Sequence, residues 1–188
     1  MPRLCLCLAT ILLLTAGRSY AETKTTGRIL FAVGEATPQA EISDWLEKGD
    51  QYRLYLFGGA KLKFGAVGLG WDLTYSNHSI KNSTGSYKRY TWDWFYLPIA
   101  VGPVLFTTGL SWVVADLDYP ELGIRETSVR PGGIAGLGVR LGIVPNGALS
   151  ADLRYDNTAK DYETAISGKS YNVQGAFLSA VGGILIYF

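Results

Sequence analysis

Beyond residue 7 the chain has no cysteine; Cys5 and Cys7 are its only two. That excludes a disulfide scaffold, a thiol nucleophile and a thiolate metal site from the body of the protein. A single histidine, His78, excludes a multi-histidine metal centre. Charged residues make up only 18%, and 17 Lys+Arg against 16 Asp+Glu leave no basic excess for a nucleic-acid partner. No apolar run reaches the ~18 residues that a spanning helix needs. Blocks of helix-forming Ala, Leu, Glu and Lys are nearly absent, as are internal repeats and low-complexity tracts. No cofactor and no metal are expected.

What is present begins with a leader. Arg3 precedes an apolar run from Leu4 to Ala16, and Ser19-Tyr20-Ala21 forms a small-x-small cleavage site before Glu22. Residues 1–21 read as a secretory signal peptide, and 22–188 as one mature domain. Both cysteines leave with the leader, too far from the cleavage site for a lipoprotein acceptor. Arg3 and Arg18 leave as well, turning the net charge of +1 into a slight acid excess.

The mature sequence is rich in glycine (23 in the full chain) and in aromatics, at 13%. Apolar residues recur at every second position, the strand period. Eight strands are expected, over 27–35, 51–60, 64–76, 88–101, 104–116, 127–144, 148–156 and 170–188. Several exceed the ~9–11 residues of a tilted membrane-crossing strand, where soluble strands average ~5–6. From Val129 to Ile143 one face reads Val, Pro, Gly, Ala, Leu, Val, Leu, Ile. The other reads Ser128, Arg130, Gly132, Ile134, Gly136, Gly138, Arg140, Gly142. Leu149, Ala151, Leu153 and Tyr155 alternate with Ser150, Asp152, Arg154 and Asp156, and 67–76 repeats the pattern.

The connections alternate in length. Short links fall at Leu62-Lys63, Gly102-Pro103 and Pro145-Asn146-Gly147; polar links of about ten residues or more fall at 36–50, 77–87, 117–126 and 157–169. Short turns on one rim and long loops on the other describe an outer-membrane barrel. Inside the first loop, 41–47 can form one or two helical turns, with Trp45 as a packing anchor. The chain ends Ile184-Leu185-Ile186-Tyr187-Phe188. With the leader and the loop alternation, this terminus resembles that of the small eight-stranded bacterial outer-membrane β-barrels of the OmpX/OmpA-domain type. The resemblance implies an all-β, antiparallel up-and-down transmembrane barrel in the outer membrane. It also implies an assembly signal at Ile184, Ile186 and Phe188, read by the barrel-assembly machinery. Near the end both faces are apolar, and a bulge would reconcile the phase of the last strand.

Within such a barrel the inward charges are Arg28, Arg53, Asp72, Asp93, Arg130, Arg140, Asp152 and Arg154. Buried charges must pair, so they are expected to form a salt-bridge network filling a narrow lumen. Glycines at 68, 70, 136, 138 and 142 make room for the polar groups beside them. Centring the last short hairpin on Asn146 places Arg140 opposite Asp152 and Gly138 opposite Arg154; a tight turn at Leu62-Lys63 places Arg53 opposite Asp72. Tyr52, Tyr75, Tyr90, Trp92, Trp112, Tyr155 and Tyr171 make the outer girdle. Lys81, Lys88 and Arg89 form a basic rim for lipopolysaccharide phosphates. His78-Ser79 is read as a solvated loop pair, since sequence neighbours in extended chain point to opposite sides. Asn77-His78-Ser79 and Asn82-Ser83-Thr84 match the glycosylation sequon by chance.

The expected function is a non-enzymatic envelope protein, structural or binding an unknown surface partner through four loops. Two alternatives stand beside it. A secreted lipocalin-like carrier would have the same strand count with an apolar interior, and an outer-membrane lipid-modifying enzyme would rest on His78-Ser79.

Overall fold

The structure is a computed structural model describing residues 24–62, 65–158, 163–166, 169–172 and 175–188. The signal-peptide expectation at 1–21 lies outside these residues. The barrel strands are β1 (Lys24–Pro38), β2 (Leu46–Leu62), β3 (Gly65–Ile80), β4 (Ser86–Val101), β5 (Val104–Tyr119), β6 (Ile124–Val144), β7 (Gly147–Thr158) and β10 (Phe177–Tyr187). Each pairs antiparallel with its neighbours, and β1 closes the ring on β10. Gly27 and Phe188 exchange backbone hydrogen bonds of 2.9 and 3.0 Å, sealing the seam at the short-turn end. A closed sheet leaves no edge amide facing hydrocarbon, which is what spanning a bilayer with strands requires.

The faces follow the alternation. Leu69 (59% exposed), Leu141 (63%), Leu149, Leu153, Trp71 and Phe106 point outward, while Asp72, Asp152, Arg154 and Ser179 are buried inside. Tyr52 and Tyr75 stack outside at 6.2 Å, and Tyr75 meets Tyr90 at 4.9 Å; Trp92 and Trp112 share a rung beneath them. The apolar outside excludes the water-soluble carrier, whose polar and apolar faces would be reversed.

Several expectations need correction. The last barrel strand begins at Phe177, not at 170. Residues 169–172 belong instead to a two-stranded hairpin of β8 (Glu163–Ile166) and β9 (Lys169–Asn172), so Tyr171 lies outside the girdle. The short segment alternates like a barrel strand, and periodicity alone could not separate the two. β10 needs no bulge. Its register against β1 and β7 runs unbroken, with Leu185 and Val181 buried inside and Ile184, Ile186 and Phe188 (76% exposed) outside.

The long connections are shorter than expected: 39–45, 81–85 and 120–123. The strands continue pairing above the membrane level, where polar side chains do not prevent a ladder. The first connection carries a 3-10 helix (Ala40–Asp44), after which Leu46 already begins β2.

The hairpin register also differs. β6 and β7 pair Arg140 with Ser150 and Gly138 with Asp152, because the turn has two residues (Pro145-Asn146) and Ile143 is bulged between the Gly142 and Val144 rungs. The displacement is two residues, so every side chain keeps its face. Likewise Arg53 stands opposite Thr74, and Asp72 opposite Tyr55.

Candidate functional site: a buried ionic layer beneath a tied loop crown

The lumen is stacked in three layers. At the short-turn end Leu30, Tyr55, Phe57, Tyr96, Val181 and Leu185 form an apolar plug. Gly68 and Gly70 face these rings: a Cβ on Gly70 would collide with the Leu56 carbonyl and approach the Tyr55 ring at 2.9 Å. The inward glycines of β3 therefore make room for aromatics, not for the polar groups expected beside them.

The middle layer is ionic. Arg53 Nε donates to both oxygens of Asp72 (3.0 and 2.8 Å), and its Nη1 donates to Asp152 at 3.0 Å. Arg140 Nη1 reaches Asp152 at 2.5 Å. Arg154 Nη1 lies 2.8 Å from Asp72 and 2.6 Å from Asp93, and its Nη2 donates to Asp156 at 2.6 Å. Arg89 closes the series 3.9 Å from Asp156. Four arginines and four aspartates balance, and all eight are buried. The chain of pairs crosses from β6 and β7 to β2, β3 and β4, so it spans the lumen. Its local enabling device is Gly138, where a Cβ would collide with the Asp152 carboxylate and lie 2.8 Å from Arg140 Nη1. Arg28 and Arg130 are only half-buried and stand outside this balanced set.

The third layer lies beneath the long connections. Ile42 of the 3-10 helix, Leu46, Ile80, Tyr87, Leu117 and Phe177 pack together, and Trp45 meets Tyr87 edge-on at 6.0 Å. His78 belongs here. It is buried and not a solvated loop residue, because β3 continues to Ile80 and its even positions face inward. Its Nδ1 lies 3.0 Å from the Glu47 carbonyl and its Nε2 3.0 Å from Ser76 Oγ, while Ser79 is exposed on the other side.

The expected basic rim is reduced. Arg89 is buried over the Phe177 ring at 4.7 Å, since it shares the inward parity of Thr91 and Asp93. Lys81 Nζ donates to the Ser43 carbonyl at 2.7 Å, tying the second connection to the first. Lys88 alone of the three points outward without such a tether, one strand position pair above Tyr90.

Two further ties join the loops. The Gln39 amide donates to the Ala176 carbonyl at 2.8 Å. Glu121 accepts from the Thr84 amide (2.7 Å), the Thr84 hydroxyl (2.8 Å) and the Ser83 hydroxyl (2.8 Å). These donors, the Thr84 amide first, hold the Glu121 carboxyl at about 2, well below its ordinary value. All four long connections are thus linked into one crown. Asp156 as a member of the ionic layer, Arg89 as an inward charge, and the loop ties are not read from the sequence. The first two had a signal, since both share the inward parity of charges already singled out.

No protein-family model matches the sequence, and no curated protein resembles it. Solved structures do. Ail, the attachment invasion locus protein of Yersinia pestis, aligns at TM-score 0.54 and 12% identity over 89% of this chain and 100% of its own. Its complex with the heparin analogue sucrose octasulfate aligns at 0.52 and 12% over the same shares. Neisserial surface protein A aligns at 0.51 and 16%, again over 89% and 100%. Together with the apolar outside, the charged inside and the closed seam, this likeness gives the chain the fold of a small eight-stranded outer-membrane β-barrel.

Proposed function

We propose that this outer-membrane barrel is non-enzymatic, conducts nothing through its lumen, and acts through its outer surface. Its partner would be a surface molecule met by the loop crown. The observation that supports this most is the ionic layer, which ties opposite walls across the lumen with aromatic packing above and below it. The crown supports the binding half. Four connections fixed to one another by Gln39, Lys81 and Glu121 present a surface whose ordering cost is already met, the condition for tight binding by loops. His78 supports the non-enzymatic half, because both ring nitrogens are engaged in the interior while Ser79 faces away.

Two contacts belong to the same reading. Lys88, above the tyrosine row, is placed to meet lipopolysaccharide phosphates of the outer leaflet. Ile184, Ile186 and Phe188, outward on the strand that closes the ring, are the elements the barrel-assembly machinery would read.

The test is planar-bilayer recording of the refolded mature protein, with lipid A mass spectra from cells with and without the gene. Silent bilayers and unchanged lipid A are expected. Steady unitary conductance would overturn the sealed lumen, and an altered acylation pattern would overturn the non-enzymatic reading.

A further inference from the structure

Two charged rungs face outward just above the tyrosine row on β4, β5 and β6. On the lower rung Lys88 stands opposite Asp116, and Asp116 opposite Thr127. On the upper rung Ser86 stands opposite Asp118, and Asp118 opposite Arg125. All six share the outward parity of Tyr90, Val114 and Val129, since the alternate residues Tyr87, Ala115, Leu117 and Ser128 are buried. Together they line a pocket of about 120 Å3, floored by the Leu117↔Glu126 rung whose side chains turn inward. That is well below the ~300–1,000 Å3 of whole small-ligand sites. It suits one headgroup of a molecule anchored elsewhere. Glu121, bound to Ser83 and Thr84, ties the connection entering β4 to the one leaving β5 and so fixes the pocket from above.

The charges are the unusual part. Lys88 with Asp116, and Asp118 with Arg125, are in direct cross-strand opposition, where opposite charges ordinarily pair. Neither pair closes: among the described residues none of the four has a hydrogen-bond or salt-bridge partner. Two cations and two carboxylates sum to zero. A bare phosphate drawn to Lys88 meets Asp116 beside it and gains little, whereas a group carrying both signs gains at both ends. Depth sets its direction. The lower rung lies one residue pair, ~7 Å, above Tyr90, Val114 and Val129, the top of the apolar wall. In a zwitterionic lipid the phosphate adjoins the glycerol and the ammonium lies beyond it, so the phosphate falls at Lys88 and the ammonium at Asp118. Those two residues stand on a cross-strand diagonal of ~7–8 Å, which leaves room for a phosphate and an ethanolamine between their side chains.

We propose that this pocket binds the phosphoethanolamine group of one outer-leaflet lipid, its phosphate on Lys88, its ammonium on Asp118 and its chains on the wall below. The inference rests on the reading of Lys88 as a headgroup contact and narrows it, because a lipid bearing phosphate alone is disfavoured. It is independent of the lumen.

The experiment is native mass spectrometry of the refolded mature barrel in nonionic detergent, with dimyristoyl phosphatidylethanolamine and dimyristoyl phosphatidic acid as probes. Folding is checked by heat-modifiable gel migration. Wild type retains one phosphatidylethanolamine per barrel and about tenfold less phosphatidic acid, the difference one charge-assisted contact makes. Lys88→Gln lowers phosphatidylethanolamine retention about tenfold. Asp118→Asn lowers it equally and raises retention of phosphatidic acid, since a carboxylate that repels the bare phosphate is gone. Glu35→Gln, on the same rung line as Lys88 but on β1 outside the pocket, changes neither. Equal retention by all four proteins would mean annular lipid and overturn the proposal. Equal retention of the two lipids by wild type would overturn the zwitterion assignment while leaving the Lys88–phosphate contact standing. Unchanged retention of both lipids in Lys88→Gln would remove that contact as well. Displacement of the lipid by millimolar phosphoethanolamine would mark a site for the free headgroup and overturn the lipid assignment.

Discussion

Replacing Asp72 by Asn keeps the shape of the side chain and removes one charge from the centre of the ionic layer. Asp72 is fully buried and holds two guanidiniums, Arg53 through Nε at 2.8 Å and Arg154 through Nη1 at 2.8 Å. With four arginines then facing three aspartates, one positive charge is left in a closed interior. Breaking a buried pair on one side costs about 3–5 kcal/mol. At a urea slope of about 2 kcal/mol/M, the unfolding midpoint should fall by roughly 1.5–2.5 M. The assay is urea unfolding of the barrel in lipid vesicles, followed by tryptophan fluorescence. Lys48→Ala is the comparison: the Lys48–Glu35 pair is 3.7 Å long and about two-thirds exposed at both ends, so its loss should cost ~0–1 kcal/mol. If Asp72→Asn and Lys48→Ala shift the midpoint equally, the interior charges are solvated and the sealed-lumen argument fails.

Four other outcomes follow from the geometry. Arg at Leu69 or Leu153, both outward in mid-strand, should destabilise the barrel in vesicles by up to ~2–4 kcal/mol, while Arg at Asn146 in the exposed turn should change little; equal tolerance at all three would refute the outward assignment. Gly138→Ala should cost about 1–3 kcal/mol by forcing the Arg140–Asp152 pair apart, and the same unfolding assay would show no shift if that space is slack. The folded pKa of Glu121 is depressed, so its clasp is fully present above the ordinary carboxylate range and is lost only as pH falls through about 2. Amide exchange at Thr84 should therefore stay protected at pH 4 in wild type and become fast in Glu121→Gln; fast wild-type exchange at pH 4 would remove the clasp. Deleting Ile186-Tyr187-Phe188 should leave processed but unassembled, protease-sensitive chain in the periplasm, and normal insertion would deny these residues a role in assembly.

The barrel and its two faces were legible because a half-buried sheet writes burial directly into sequence parity. Leu149, Leu153 and Tyr155 against Ser150, Asp152 and Arg154 need no tertiary knowledge to sort. Register was less legible. Parity survives a two-residue slip, and the Ile143 bulge that sets the true pairing has no sequence mark stronger than the Pro-Asn turn beside it. Arg140 and Asp152 remain within reach because a long guanidinium spans the diagonal as easily as the direct rung. Strand ends were hidden for a different reason. Above the tyrosine row the outside of the barrel is polar, so Asn77 and Ser79 read as loop although the ladder continues and carries His78 inside. Arg89 reads as rim for the same reason, although it is buried on the inward parity of β4. The loop ties rest on contacts between residues some forty positions apart, such as Thr84 with Glu121, and nothing local announces them.

The most direct test of the account uses the absence of cysteine from every position beyond Cys7. Ser111, Ser150 and Ser179 are buried and point into the lumen, and Ser→Cys at each is close to isosteric. Each single-cysteine barrel, refolded into vesicles, is exposed to a small charged methanethiosulfonate reagent before and after unfolding in denaturant. A sealed lumen predicts negligible modification of all three thiols in the folded barrel and complete modification once it is unfolded. Rapid labelling of the folded protein at these positions would mean a water-filled pathway, and would contradict the closed barrel on which the functional reading rests.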